Sequence, residues 1–290
     1  MSASNAVTNN EAALDAERQL ERALIRLLDL NDDKIAAVLD HQREHDVSFA
    51  AAAITLGLAT QEDADAAWAS SRKIVPIERR PLKSGPQLIL AHDPFHPHSE
   101  KIRALRTELL LRHENGNRAN AMAIVSPKPR EGRSVLAAEL AISFAQLGKP
   151  TLLVDADLRH PSQHLLFGAD NQHGLSQAIT SSDAPHIHPV EGVANLGVLT
   201  AGAAPDNPLE LLSDGRLETL VRSWRRRYDH VIIDTAPVSE YADALAVSTV
   251  VGRVVVLGRA QHTPYNATRD MLRRLAATQS QILGAVINHF

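Results

Sequence analysis

Cysteine is absent from the chain, which excludes disulfides and thiolate metal sites and suits a reducing compartment. A basic surplus is absent as well. At a net charge of -4 there are no surplus cations to displace counterions from a nucleic acid, so no nucleic-acid partner is expected. The N-terminal stretch MSASNAVTNNEAALDAE lacks both the basic and the apolar region of a signal peptide. The longest apolar run, Leu245 to Gly258, is too short to cross a bilayer and contains Arg253. Together these absences predict a cytoplasmic protein with no direct membrane insertion, recruited to a membrane only through a partner.

What is present supports a sizeable core: 290 residues, 44% of them hydrophobic and 22% charged, fit one large domain or a medium one with an appendage. Residues 1–14 are polar or small and read as a disordered N-terminus. Residues 15–77 read as a small helical domain, with Leu20, Leu24, Leu27 and Leu28, then Ile35, Val38 and Leu39, at helical spacing. LLDLNDDKIAAVL (27–39) and LGLATQEDADAAW (56–68) superpose with an offset of 29. That offset places Asn31 and Thr60 at helix N-caps, with Asp63 completing a capping box. Pro76, Pro81 and Pro86 mark an extended linker over 78–98.

The remainder, 99–290, carries the chemistry. Ala121 to Val125 reads as a buried strand, broken at Ser126-Pro127-Lys128-Pro129, and Gly132-Arg133-Ser134 opens a helix ending near Gly148. A second strand, Thr151 to Val154, delivers Asp155 and Asp157 at its C-terminal end. Strand, loop, helix and acid-tipped strand form the layout of a nucleotide-phosphate site, in which amides hold phosphate oxygens and a first-turn hydroxyl reaches Mg²⁺. The match to GxxxxGK[ST] is partial. Pro127 replaces the first glycine, Arg133 replaces the lysine, and Arg130 stands where such loops carry glycine. If Arg130 needs positive φ, a non-glycine there costs about 1 kcal/mol or more. Lys128 is a compensating cation. YDHVIIDTAP (228–237) is a further buried strand tipped by Asp234, in the Walker-B form that holds Mg²⁺ through water.

The later units are read as helix Asp243–Thr249, strand Arg253–Leu257, helix Pro264–Thr278 and strand Ile282–Ile287. Unalternated apolar strands separated by helices predict an α/β fold: a mostly parallel sheet covered on both faces, preceded by a small all-α domain. Arg259 and Asn288, each just past a strand, are candidate nucleotide contacts. His92, His96, His98, His186 and His188 fall in two loops and read as polar surface rather than a zinc site.

Three motifs in order make the chain resemble the bacterial tyrosine kinases: EGRSVLAAELA (131–141), LLVDADLR (152–159) and VIIDTAP (231–237). Glu100-x-x-Arg103-x-x-Arg106 resembles the element by which that family assembles into rings. DPFHPHSEKIRALRTELLLR, DADLRHPSQHLLFG, NPLELL and EYADA narrow the likeness to the chain-length-determinant kinases of exopolysaccharide operons, over roughly residues 90–290. The resemblance implies a P-loop NTPase domain using ATP and Mg²⁺, acting with a transmembrane polysaccharide co-polymerase whose cytoplasmic segment completes the site. It implies that Gly132 and neighbouring amides, from Lys128, Arg130 and Glu131 to Val135, cradle the phosphates while Arg133 and Lys128 neutralise them. Ser134 and Asp157 then hold the metal, Asp234 orders its shell, and Asp155 is the base. Glu100, Arg103 and Arg106 would form one charged stripe for self-assembly.

Departures leave alternatives open. The family's tyrosine-rich tail has no counterpart: the sequence ends VINHF, and Tyr228, Tyr241 and Tyr265 are not clustered. The kinase therefore acts on another protein, or the chain is a non-catalytic, nucleotide-gated assembly protein. The lysine at position 128 also resembles the signature lysine of MinD- and ParA-like ATPases. The helical domain resembles the N-terminal domain of type II secretion ATPases, relatives of cyclic-di-GMP receptors. Gln19-Leu20-Glu21 and Ser48-Phe49-Ala50 lack that receptor motif's arginine and glycine, which favours a protein-docking role.

Overall fold

The computed structural model describes residues 24–25, 27–28, 30–45, 47–71, 88–93, 96–112, 120–181 and 184–289. The expected disordered terminus (1–14) and the first part of the expected linker (78–87) lie outside them. The chain divides into two compact units, 1–76 and 77–290.

In the first unit, α1 (Asp32–His45), α2 (Phe49–Thr55) and α3 (Gln61–Ser71) enclose a core that includes Leu24, Val38, Phe49, Ala52, Ala53 and Ala67. The N-caps are legible in the sequence. Asn31 Oδ1 accepts from Lys34 N at 3.1 Å. Thr60 Oγ1 accepts from Asp63 N at 3.2 Å while Asp63 accepts from Thr60 N at 2.8 Å, a reciprocal capping box. Ser48, where a receptor arginine would stand, is itself a helix cap, accepting from Ala51 N.

The second unit contains α4 (Ile89–His92), α5 (Pro97–Leu111), β1 (Asn120–Val125), α6 (Arg133–Ala145), β2 (Thr151–Asp155), α7 (Gln163–Phe167), α8 (Leu175–Thr180), β3 (His188–Pro189) and β4 (Leu196–Leu199). It continues through α9 (Pro208–Leu212), α10 (Gly215–Arg227), β5 (His230–Asp234), α11 (Asp243–Val251), β6 (Arg253–Arg259), α12 (Tyr265–Ala276) and β7 (Gln281–Asn288). The strands form one sheet in the order β3-β4-β2-β5-β1-β6-β7, parallel except for β3.

Period-2 alternation explains why every central strand is apolar throughout. On β1, Ala121, Ala123 and Val125 face a core completed by α8 to α12, while Met122 and Ile124 face a second core beneath α4 to α7. Both faces are buried, so no position can be polar until the strand ends. The acids accordingly appear at the tips.

Two expectations are corrected. The linker does not extend to residue 98: Leu88, which precedes α4, and Leu90 within it are fully buried, and α5 begins at Pro97, a residue suited to the first helical position. His92 and His98 therefore sit on helices rather than in a loop. His98 meets the buried Glu139 of α6 at 2.5 Å.

Candidate active site

The parallel register sets the site. β2 and β5 are neighbours with Asp155 opposite Asp234, and β1 runs on the other side of β5. The first β-α loop, 126–132, thus lies beside three carboxylates contributed by two strand ends.

The loop has the backbone that a phosphate site needs. Gly132 takes φ +97°, open to glycine, and opens α6. Arg130 takes φ +60°, the left-handed conformation for which a non-glycine residue carries a cost of about 1 kcal/mol or more. Glu131 is fully buried: Oε2 accepts from Lys128 N at 2.8 Å and Oε1 from the Thr263 hydroxyl at 2.5 Å. Arg133 is turned into the protein. Its Nε donates to Thr235 O at 2.8 Å, and its NH1 to Lys128 O at 2.8 Å and Ser126 Oγ. The guanidinium fork ties the phosphate loop to the loop after β5, which one ammonium could not do at both ends.

Asn288 and Arg259 brace the loop from outside. Asn288 Nδ2 donates to Glu131 O at 3.1 Å, and Arg259 NH1 to Arg130 O at 3.4 Å. Both side chains thus place a donor on a carbonyl of the phosphate loop, Asn288 through Nδ2 and Arg259 through NH1. Val135 packs partly against the second core.

Each acid has a distinct setting. Asp155 is fully buried: Oδ1 accepts from Asp157 N at 3.1 Å, and Oδ2 from Ser162 N and Gln163 N at 2.9 Å. Burial and the adjacent Asp234 still push its carboxyl well above the usual carboxylate range. Burial also raises Asp234, opposed by the Arg133 charge, the nearby Ser134 hydroxyl and the hydrogen bond from Gln163. Asp157 accepts from the backbone of His160 at 2.9 Å and of Arg159 at 3.3 Å. Arg159 then pairs in bidentate fashion with buried Asp243 at 2.7 and 3.2 Å, its guanidinium 4.0 Å above the Tyr241 ring, fixing the acid-bearing loop to α11.

Asp234 Oδ1 is buried with no hydrogen-bond partner. An unpaired carboxylate oxygen with the Ser134 hydroxyl and Asp157 nearby suits a Mg²⁺ ion that keeps most of its water and phosphate ligands. Ser134, Asp157 and Asp234 would hold the ion.

Sequence reasoning missed Gln163, whose side chain joins Asp234 to Ser134 O. It lies within the family-like string DADLRHPSQHLLFG, but a single glutamine two residues after a proline gives no chemical reason to single it out. Glu100, Arg103 and Arg106 are not one exposed stripe. Arg103 pairs with Glu100, but Arg106 is buried and donates to Ser143 O on α6 at 2.6 Å. Steps of three fall about 60° short of a full turn each, so the row winds from solvent into the core.

No protein-family model matches the chain. The tyrosine-protein kinase YwqD of Bacillus subtilis (strain 168) is 35% identical over 202 residues, covering 69% of this chain and 85% of that protein. Etk, a tyrosine-protein kinase of Escherichia coli (strain K12), is 33% identical over 193 residues, which is 65% of this chain but only 26% of Etk. The solved kinase domain of Etk superposes with a TM-score of 0.68 at 30% identity, covering 75% of this chain and 85% of that one. The cell-division ATPase MinD of Pyrococcus furiosus, at 22% identity and a TM-score of 0.51, shares the fold alone. Likeness to YwqD over most of its length, with the strand-tip acids and phosphate loop in place, means that the chain belongs to the bacterial tyrosine-protein kinase family, enzymes of the P-loop kinase and ATPase class.

Proposed function

We propose that this chain is a Mg-ATP-dependent protein tyrosine kinase that regulates exopolysaccharide biosynthesis and chain length together with a transmembrane co-polymerase. The observation that carries the reading is the buried, unpaired Asp234 Oδ1 facing a serine-bearing phosphate loop, with Asp155 and Asp157 on the adjoining strand end. The loop amides and the α6 N-terminus bind the phosphates, Lys128 and Arg133 supply positive charge, and Ser134, Asp157 and Asp234 seat Mg²⁺. Bound Mg²⁺ supplies neutralisation of the phosphate charge. Asp155 takes the proton of the attacking phenol on a remaining lone pair of Oδ1, its raised pKa making it a better acceptor. The chain works at the cytoplasmic face of the membrane, held there by the co-polymerase's cytoplasmic segment, as a homo-oligomer assembled through Glu100 and Arg103.

A second reading, a nucleotide-gated assembly protein without transfer, is favoured by the commitment of Arg133 donors to Thr235, Lys128 and Ser126. Calorimetric titration of ATP with and without Mg²⁺ into wild type and Asp157→Asn, followed by a phosphotyrosine assay on a Glu-Tyr copolymer, separates the two. The kinase reading requires Mg²⁺-dependent binding, weakened in the variant, and phosphotyrosine on the copolymer. Both are repeated with the co-polymerase's cytoplasmic segment added: binding without transfer even then supports the second reading, and no binding by folded protein in its presence refutes both.

A further inference from the structure

Gln163 is the point at which the three motifs meet. It is fully buried at the start of α7. Its backbone N–H donates to Asp155 Oδ2 at 2.9 Å, and its side-chain Nε2 donates to Asp234 Oδ2 at 2.8 Å and Ser134 O at 3.0 Å. The Ser134 carbonyl can only accept, which fixes the amide orientation: nitrogen toward the carbonyl and the acid, oxygen on the other side.

That oxygen, Gln163 Oε1, is buried and has no hydrogen-bond partner. Neither has Asp234 Oδ1, on the residue that Gln163 holds. Folded proteins pair nearly all buried acceptors. Two unpaired acceptors on side chains bonded to each other call for a donor from outside the chain. A water ordered by a cation supplies such donors, and its polarised hydrogens suit acceptors beside a carboxylate.

We infer that Gln163 is a positioning residue of the metal site: Nε2 sets the Asp234 carboxylate, and Oε1 accepts a hydrogen bond from a magnesium-bound water. The inference rests on the proposed Mg-nucleotide site and assigns to it a residue outside the phosphate loop and the acid motifs.

The test is calorimetric titration of ADP, with and without Mg²⁺, into the full chain as wild type, Gln163→Met and Gln163→Asn. Methionine keeps the volume and deletes both polar atoms; asparagine keeps the amide but is one methylene too short to reach. Metal-free ADP affinity is expected to stay within about twofold, while the affinity gained on adding Mg²⁺ falls about tenfold or more in both variants. A variant that melts cooperatively yet keeps the wild-type magnesium gain overturns the inference. So does an equal loss with and without Mg²⁺, which marks a loop-packing role. Should Gln163→Met not fold, Gln163→Asn decides. A wild type with no magnesium gain refutes the nucleotide site itself, and the inference with it, and is thereby distinguished from failure of the Gln163 assignment alone.

Discussion

Replacing Arg133 by lysine restores the usual phosphate-loop residue, and the structure says that this restoration is harmful. Arg133 is 7% exposed, and its guanidinium spans two loops, donating from Nε to Thr235 O and from NH1 to Lys128 O, both at 2.8 Å. An ammonium is a single point and keeps one end of that span. Each charge-assisted hydrogen bond is worth about 1.5–3 kcal/mol, and the deserted, buried Thr235 carbonyl adds its own penalty. Water admitted to the gap returns part of this, leaving a net loss of about 3 kcal/mol. At about 2–4 °C per kcal/mol for a domain of this size, the nucleotide-free melting temperature should fall by about 6–12 °C. Circular-dichroism melts of wild type and Arg133→Lys, without nucleotide and again with Mg-ATP, measure it. A lysine variant that melts within about 2 °C of wild type and binds ATP more tightly would refute the clamp and make Arg133 simply a phosphate cation.

The buried acids give a pH dependence. Asp155 and Asp234 both titrate above the ordinary carboxylate range, so their contribution to stability is complete below that range and is lost as pH rises through the elevated values. Metal-free protein should therefore gain from lowering the pH from about 7.5 toward about 5, and Asp234→Asn should raise the melting temperature at neutral pH while abolishing stabilisation by Mg²⁺ with ADP. Arg106→Met should cost about 2 kcal/mol or more in urea denaturation through the bond to Ser143, whereas Glu100→Ala should change monomer stability by less than about 0.5 kcal/mol and lower the assembled mass in light scattering. Leu90→Ala should cost about 2–5 kcal/mol, since Leu90 is fully buried; an unchanged denaturation midpoint would return it to the linker.

The sequence by itself determined the parts governed by short-range rules. Unbroken apolar runs required strands buried on both faces, and the acids at their ends followed, because a strand can turn polar only where it leaves the core. Asn31, Thr60 and Asp63 announced helix starts because a cap acts within one turn. Arg130 in a glycine position marked where a left-handed backbone would carry a cost, and the backbone there is left-handed. Tertiary structure decided where long side chains go. Whether Arg133 meets a phosphate or Thr235 depends on the loop after β5, and whether Arg106 faces a partner or Ser143 depends on how α5 lies on α6. Gln163 acquired its place only because parallel pairing sets Asp155 beside Asp234, two strand ends far apart in the chain. A flexible side chain's partners are chosen by whatever the fold packs around it, and no local pattern in the sequence encodes that choice.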